Sequence, residues 1–349
     1  MRARIRGSDP TRTGDMHRRR AWRPAPMSSG TTDDAPAPRF RRVAADPRRA
    51  AIWMIGALVS FSLVAITGRE AMRSIGALEL LFWRACTGLA VLAVLHLALR
   101  GTLSSLRSGQ PGLTAGRALV HFAAQLSWML AVSMIPLVEV FALEFTSPLW
   151  VAVLAPLFLG ERLTAWRAFA ALTGFAGALV VVWPPGAGLS PRAFLDQLSL
   201  GPGSLLALAS AFGFALNVMA VRRLTRTDSA FVTLVWMHVL QLPLAAALVV
   251  FGPGLTLSSA AAFGWAALCG LSGLAAHYCL TRASRLADAI VVAPMDFLRL
   301  PLIALVGMAL YDEPLRAPVM AGAACILVAN GLNLWAERRA QQRGRVSPA

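Results

Sequence analysis

The chain has 349 residues, of which 57% are hydrophobic and 14% charged; soluble domains carry about 25% charged residues, so a water-soluble fold is excluded. The net charge of +16 comes from 33 arginines at the ends and between apolar runs, which reads as a membrane-orientation signal and not as a nucleic-acid surface. No lysine occurs, so a Walker A phosphate site and a Schiff-base cofactor are excluded, and with them an ATP-driven pump or a retinal photopump.

Residues 1–50 hold thirteen Arg, five Asp and no aliphatic run, and they read as a disordered, Arg-rich cytoplasmic arm. Met16 and Met27 are alternative starts, and the arm lacks the apolar core of a secretory signal. From Ala51 onward the chain becomes a series of apolar segments, each near the roughly 20 residues that cross a bilayer as helix. Ten are expected: 51–67, 76–99, 116–135, 138–159, 165–183, 202–222, 229–251, 261–281, 286–310 and 317–336, followed by a cytoplasmic tail over 337–349. Pro136 alone separates the third from the fourth, and Gly160, Glu161 and Arg162 separate the fourth from the fifth. Pro136, Pro148, Pro156, Pro243, Pro294 and Pro301 are expected to kink or end helices. The four cysteines fall in apolar runs without a C-x-x-C spacing, which points to packing and not to a metal site.

With the amino terminus inside, ten loop arginines, including Arg117, face the cytoplasm and only Arg69, Arg73, Arg192 and Arg316 face outward. This asymmetry predicts a multi-pass protein of a bacterial inner membrane with both termini cytoplasmic.

Sliding the chain by 152 residues lays AVSMIPLVEVFALEFTSPLWVAVLAPLFLGERLTAW over ASRLADAIVVAPMDFLRLPLIALVGMALYDEPLRAP. Glu161 falls on Glu313, Phe145 on Phe297, Val140 on Val292 and Glu144 on Asp296. Each half then holds five helices, and an odd number makes the second half enter the membrane from the opposite side. Such inverted repeats recur in secondary carriers, where two related halves open a midplane site to opposite sides.

The segments LGERLTAWRAFAALTGFAGALVVV and LYDEPLRAPVMAGAACILVANGLNL each join a helix end, an acidic turn and a small-residue-rich helix. In this the chain resembles the drug/metabolite transporter superfamily, specifically its EamA-type members with two tandem five-helix modules, here 51–184 and 202–336. Family members often carry Gly nine and sixteen residues after the turn Glu; Gly322 and Gly177 match, whereas Ala170 and Ala329 do not. The resemblance implies an all-α membrane protein that is a transporter and not an enzyme, without cofactor, acting as monomer or homodimer.

Charges within apolar helices are costly and tend to face partners or a wet cavity; here they are Arg84, Glu139, Glu144, Asp296 and Arg299, with His121, His238 and His277 adding polarity. His121, Gln125 and Trp128 fall on one helix face, as the wall of a pocket for a polar, planar metabolite or as hydrogen-bonding groups between helices. Arg84 suits a substrate carboxylate or phosphate, or else a salt bridge to Glu79 or to an acid on another helix. Asn217 and His238, the latter three residues before Gln241, are substrate candidates for which helix packing is the alternative. Asp296 and Arg299 are three apart and able to pair. Glu144 has no basic residue within a turn, which makes it the candidate proton carrier unless all three form a buried ion network.

The expected function is secondary transport of a small polar metabolite, such as an amino acid, a nucleoside, a flavin-like compound or a drug, by alternating access with protons as a coupling partner. An intramembrane lipid-modifying enzyme is the alternative, though no H-E-x-x-H, G-x-S-x-G or C-x-x-C set is present.

Overall fold

The computed structural model describes residues 47–159, 165–183, 201–224, 227–256, 259–286 and 295–346. All belong to one compact unit, Val43–Ala349. Gly160, Glu161, Arg162, Val292, Pro294 and the segment 184–200 lie outside the described residues.

The first half comprises α1 (Pro47–Ala71), α2 (Ala77–Ala98), α3 (Pro111–Met134), α4 (Leu137–Glu144), α5 (Ser147–Leu159) and α6 (Ala165–Val181). The second comprises α7 (Pro202–Leu224), α8 (Ala230–Val250), α9 (Ala260–Leu286), α10 (Arg299–Tyr311) and α11 (Ala317–Val346). Seven spans among the described residues, with α4 and α5 taken as one, are long and apolar enough to cross a membrane, and α6 and α10 are shorter apolar helices. With α3, whose Arg117, His121 and Gln125 lower its hydropathy, these make the ten segments expected. Side chains such as Ile52, Leu97, Leu172, Leu305 and Val328 point outward, as lipid-facing surfaces require.

Several boundaries move. The first helix begins at Pro47, inside the expected arm, because proline is well tolerated in a helix's first turn. The third starts at Pro111 instead of 116, again with proline in the first turn. The expected tail continues α11 as helix to Val346, with the Arg339 guanidinium 4.2 Å from the Trp335 ring.

The fourth span is interrupted at Phe145–Thr146. Pro148 has no N–H to give the Glu144 carbonyl, and the Thr146 N–H and hydroxyl instead go back to the Leu143 carbonyl. In the second half the described residues show the same break: a turn precedes Arg299, Leu298 N–H donates to the Met295 carbonyl, and Pro301 follows. The expected helix 286–310 is therefore not continuous. Helices α5 and α10 begin at 147 and 299 and end at 159 and 311, and α6 and α11 begin at 165 and 317, so the offset of 152 is kept to the residue.

Packing between the halves follows a two-fold pattern. The first helix of each half lies along the third of the other, α1 on α9 and α3 on α7; the second helices pair, α2 on α8, and so do the fifth, α6 on α11. With five spans per half, this is the pairing that an inverted repeat calls for. At the α6–α11 crossing a Cβ on Gly177 would lie 2.8 Å from the Gly322 carbonyl oxygen, so the backbones touch where the small-residue pattern places them.

On the membrane face where α3 begins, two loops are tied by Asp228. It accepts from Ser108 Oγ at 2.5 Å and from the Gly109 N–H at 2.8 Å. Burial pushes this carboxyl upward, but the donors Ser108, Gly109 and Thr227 outweigh it and hold it below the ordinary carboxylate range. Its contribution is therefore full above the unfolded-state value near 3.9 and is lost as pH falls through the lower folded value. Asp228→Ala is expected to cost about 1–2 kcal/mol at neutral pH, with the difference from wild type shrinking below about pH 4, read by thermal unfolding in detergent.

Candidate functional site

The breaks after α4 and before α10 open a cavity of about 280 Å³ between the halves. Ligand sites in transporters are built on such discontinuous helices near the midplane, where the freed backbone faces a cavity. Its volume is just below the range of about 300–1,000 Å³ usual for small-molecule pockets. Phe61, Trp128, Phe141, Phe145 and Phe214 form aromatic walls, while Arg84, His121, Gln125, His277, Asn217, Glu144, Asp296 and Arg299 supply polar groups.

One end gathers donors. With the Gln125 carboxamide oxygen turned toward Arg84, both guanidinium nitrogens donate to it, at 2.9 and 3.2 Å, and the amide nitrogen lies 3.2 Å from His121 Nδ1. Gln241 Nε2 also reaches His121 Nδ1, at 3.1 Å, and the Ala118 carbonyl, at 3.0 Å. Two amide donors make Nδ1 an acceptor and put the ring proton on Nε2. The Arg84 guanidinium lies over Gly273, where a Cβ would stand 2.8 Å from Nη2. The salt bridge considered with Glu79 is not made: that carboxylate accepts from Trp83 and from the N–H and hydroxyl of Thr256. Among the described residues Arg84 has no carboxylate partner.

The other end is an ion cluster. Arg299 Nη2 lies 3.3 Å from Glu144 Oε1 and 3.3 Å from Asp296 Oδ2, so two acids share one guanidinium nitrogen. Its Cζ is 4.7 Å from the Phe61 ring centre, 5.3 Å from Phe141 and 5.1 Å from Phe145, an aromatic cage that favours the cation. Trp128 Nε1 donates to Glu144 Oε2 at 2.8 Å. Glu144, which has no basic neighbour along its own helix, thus receives one from the other half, and the three residues meet as the ion-network alternative would have them. Asp296 Oδ1 and Arg299 Nε have no partner among the described residues. In the repeat the counterpart of Arg299 is Ser147, which also lines the cavity, so this cluster holds one cation for two acids.

His238 lies outside this cavity. It borders a small adjoining pocket with Arg84 and Gln241, its Nδ1 2.9 Å from the Leu234 carbonyl and its ring against Gly88. Asn217 lines the cavity but spends Oδ1 on Arg117 Nε, 3.0 Å away. His277, 6.1 Å from the His121 ring and 5.8 Å from Phe61, is a cavity residue missing from the sequence-derived site; its spacing from Gly273 on one face of α9 was the available signal.

Two assignments of charge are corrected. Arg117, counted with the loop arginines, is buried inside α3. Glu139 is in the first turn of α4, not the midplane, where it accepts from Arg316 Nη2 at 2.6 Å and Ser204 Oγ at 3.0 Å. Beside it Arg69 pairs with Glu313 and donates to the Val132 and Ile135 carbonyls, and Glu313 Oε2 accepts from the Leu137 N–H. These contacts join the ends of α1, α3 and α10 to the starts of α4, α7 and α11 on one face of the membrane domain. Glu313 thus does more than mark a turn.

Residues 48–183 and 201–335 each match the EamA-like transporter family. The chain is 29% identical over 309 residues to a riboflavin transporter of Rhizobium johnstonii, covering 86% of this chain and 97% of that one. It is 30% identical to a riboflavin transporter of Brucella anthropi, with 71% and 84% covered. An S-adenosylmethionine uptake transporter of Rickettsia felis is 23% identical, with 83% and 94% covered. A solved crystal structure of a protein that shares 19% identity aligns over 83% of this chain and 98% of its own with a TM-score of 0.55, a likeness of fold.

Proposed function

The chain belongs to the EamA-like transporter family, and on that premise we propose that it carries a flavin-like, planar heteroaromatic metabolite through the bilayer by alternating access. As a transporter it has no need of a catalytic set, and the lipid-modifying alternative falls. The observation that carries the reading is the aromatic cavity between the two broken helices, with a donor cluster at one end and carboxylates at the other. A ring system with carbonyl acceptors along one edge would lie between the phenyl rings with that edge on Arg84, and side-chain hydroxyls would reach Glu144 and Asp296. Relatives named riboflavin transporters support this choice among planar metabolites.

With the termini cytoplasmic in a bacterial inner membrane, the Arg69–Glu313 and Arg316–Glu139 contacts lie on the outer side and hold the cavity shut there. The outward-open state then requires both pairs to part. Expression in a riboflavin-auxotrophic host without its own importer tests the substrate. Growth on micromolar riboflavin, with saturable uptake of the labelled vitamin, is expected; uptake of S-adenosylmethionine and not riboflavin would overturn the flavin assignment.

Coupling is assigned to Glu144, Asp296 and Arg299, because two carboxylates around one guanidinium leave an excess negative charge in a poorly solvated place, which a proton neutralises. Glu144→Gln is expected to remove gradient-driven accumulation in proteoliposomes while sparing substrate counterflow. Full accumulation by the variant would move the proton to another group.

A further inference from the structure

Arg117 is a buried cation whose partners among the described residues are all neutral: Asn217 Oδ1, the Thr233 carbonyl at 3.0 Å and Met237 Sδ at 3.7 Å. A guanidinium inside an apolar helix bundle without a counter-charge is costly, and its anion has to come from elsewhere. Arg117 borders a second cavity, of about 260 Å³, between α3, α7 and the end of α5, outside the transport site.

That groove is otherwise apolar, with Leu113, Val120, Leu216, Ala220, Met219 and Phe158 in its lining, and among the described residues no acidic one borders it. Its second polar residue is Arg223, exposed at the end of α7, which donates to the Phe158 carbonyl at 2.8 Å and has no carboxylate partner among the described residues. Gly116, Phe158 and Arg223 are all exposed, so the groove opens on the surface of the domain. Leu113 is near the start of α3, and Phe158 and Arg223 are near the ends of α5 and α7, so the opening lies at one membrane face, level with headgroups.

We infer that this groove binds one acidic phospholipid, its phosphate between Arg117 and Arg223 and an acyl chain along the apolar wall. A soluble anion would match the two guanidiniums but leave that wall wet, and a zwitterionic lipid would bring its own cation to a site that already holds two. The Nε of Arg117 is bonded to Asn217, whose side chain lines the transport cavity, so the lipid would brace a wall of that cavity from behind.

The test is native mass spectrometry of the full-length protein in detergent, titrated with dioleoyl-phosphatidylglycerol or dioleoyl-phosphatidylcholine. One retained phosphatidylglycerol per protein, favoured about thirtyfold over phosphatidylcholine, is expected, since each of the two arginines near the headgroup adds about 1 kcal/mol. Arg223→Gln removes the rim charge and should cut that preference about fivefold, and Ala220→Trp, on the α7 wall, fills the groove and should erase it, while thermal stability reports that the fold persists. Equal retention of the two lipids, wild-type selectivity in both variants, or displacement of phosphatidylglycerol by excess soluble glycerol phosphate would overturn the assignment. The measurement needs no substrate, so its outcome is independent of the flavin reading.

Discussion

Arg84→Ala is expected to cut uptake by roughly ten- to a hundredfold while the protein inserts and folds normally. The guanidinium has no carboxylate partner among the described residues to leave stranded, so its removal breaks only the bonds to Gln125. What disappears is the charged donor fork at the acceptor edge of the proposed substrate. A charge-assisted hydrogen bond is worth about 1.5–3 kcal/mol, so the loss corresponds to roughly ten- to a hundredfold in uptake efficiency. Arg84→Lys is not expected to rescue it, because an ammonium cannot engage two carbonyl acceptors in one plane. Gly273→Val should mimic the defect in part by pushing the guanidinium off its seat. Initial uptake rates normalised to membrane-inserted protein decide the matter; a rate within about twofold of wild type for Arg84→Ala would remove Arg84 from the site.

The largest structural effect is expected from Gly177→Leu or Gly322→Leu. A Cβ on Gly322 would meet the Gly177 carbonyl oxygen at 2.5 Å and Val181 N at 2.7 Å, and a Cβ on Gly177 would meet the Gly322 carbonyl oxygen at 2.8 Å. Those atoms are backbone and cannot rotate away, so α6 and α11 must separate along their length, and the Gly174 and Ala329 contacts separate with them. Overpacking of a tight core costs about 1–3 kcal/mol where neighbours can yield, and more is expected here. The measurable result is loss of the monodisperse peak on fluorescence-detected size exclusion. Gly331→Leu, on the same helix α11 but with nothing within 4 Å of its Cβ, should leave that peak intact.

Several features of the site were legible without coordinates. Eight of the nine sequence-derived site residues line the main cavity, because helical spacing groups His121, Gln125 and Trp128 and because intramembrane charge is too costly to leave without a purpose. Glu144 and Asp296 meet at one guanidinium, as their equivalence in the repeat foreshadowed. His238 went elsewhere since helical period gives a face but not what that face meets. Arg117 was misplaced because apolar run length put the helix start at 116, and proline's tolerance in the first turn moved it to 111.

The amino-acid sequence by itself determined the class of molecule, the number of spans, the five-plus-five repeat and the family, since each is a property of run length, composition or local pattern. Gly177 and Gly322 were also marked by pattern alone. Only the tertiary structure decided which charges meet: Arg299 with Glu144, 155 positions apart, Arg69 with Glu313, Arg316 with Glu139 and Arg117 with Asn217. It also decided that the fourth span and the start of α10 break beside the cavity. The physical reason is range. Hydropathy and helical period act over one or two turns, whereas an ion pair inside a bilayer is selected by which helix faces which, and that follows from the packing of the two halves around each other.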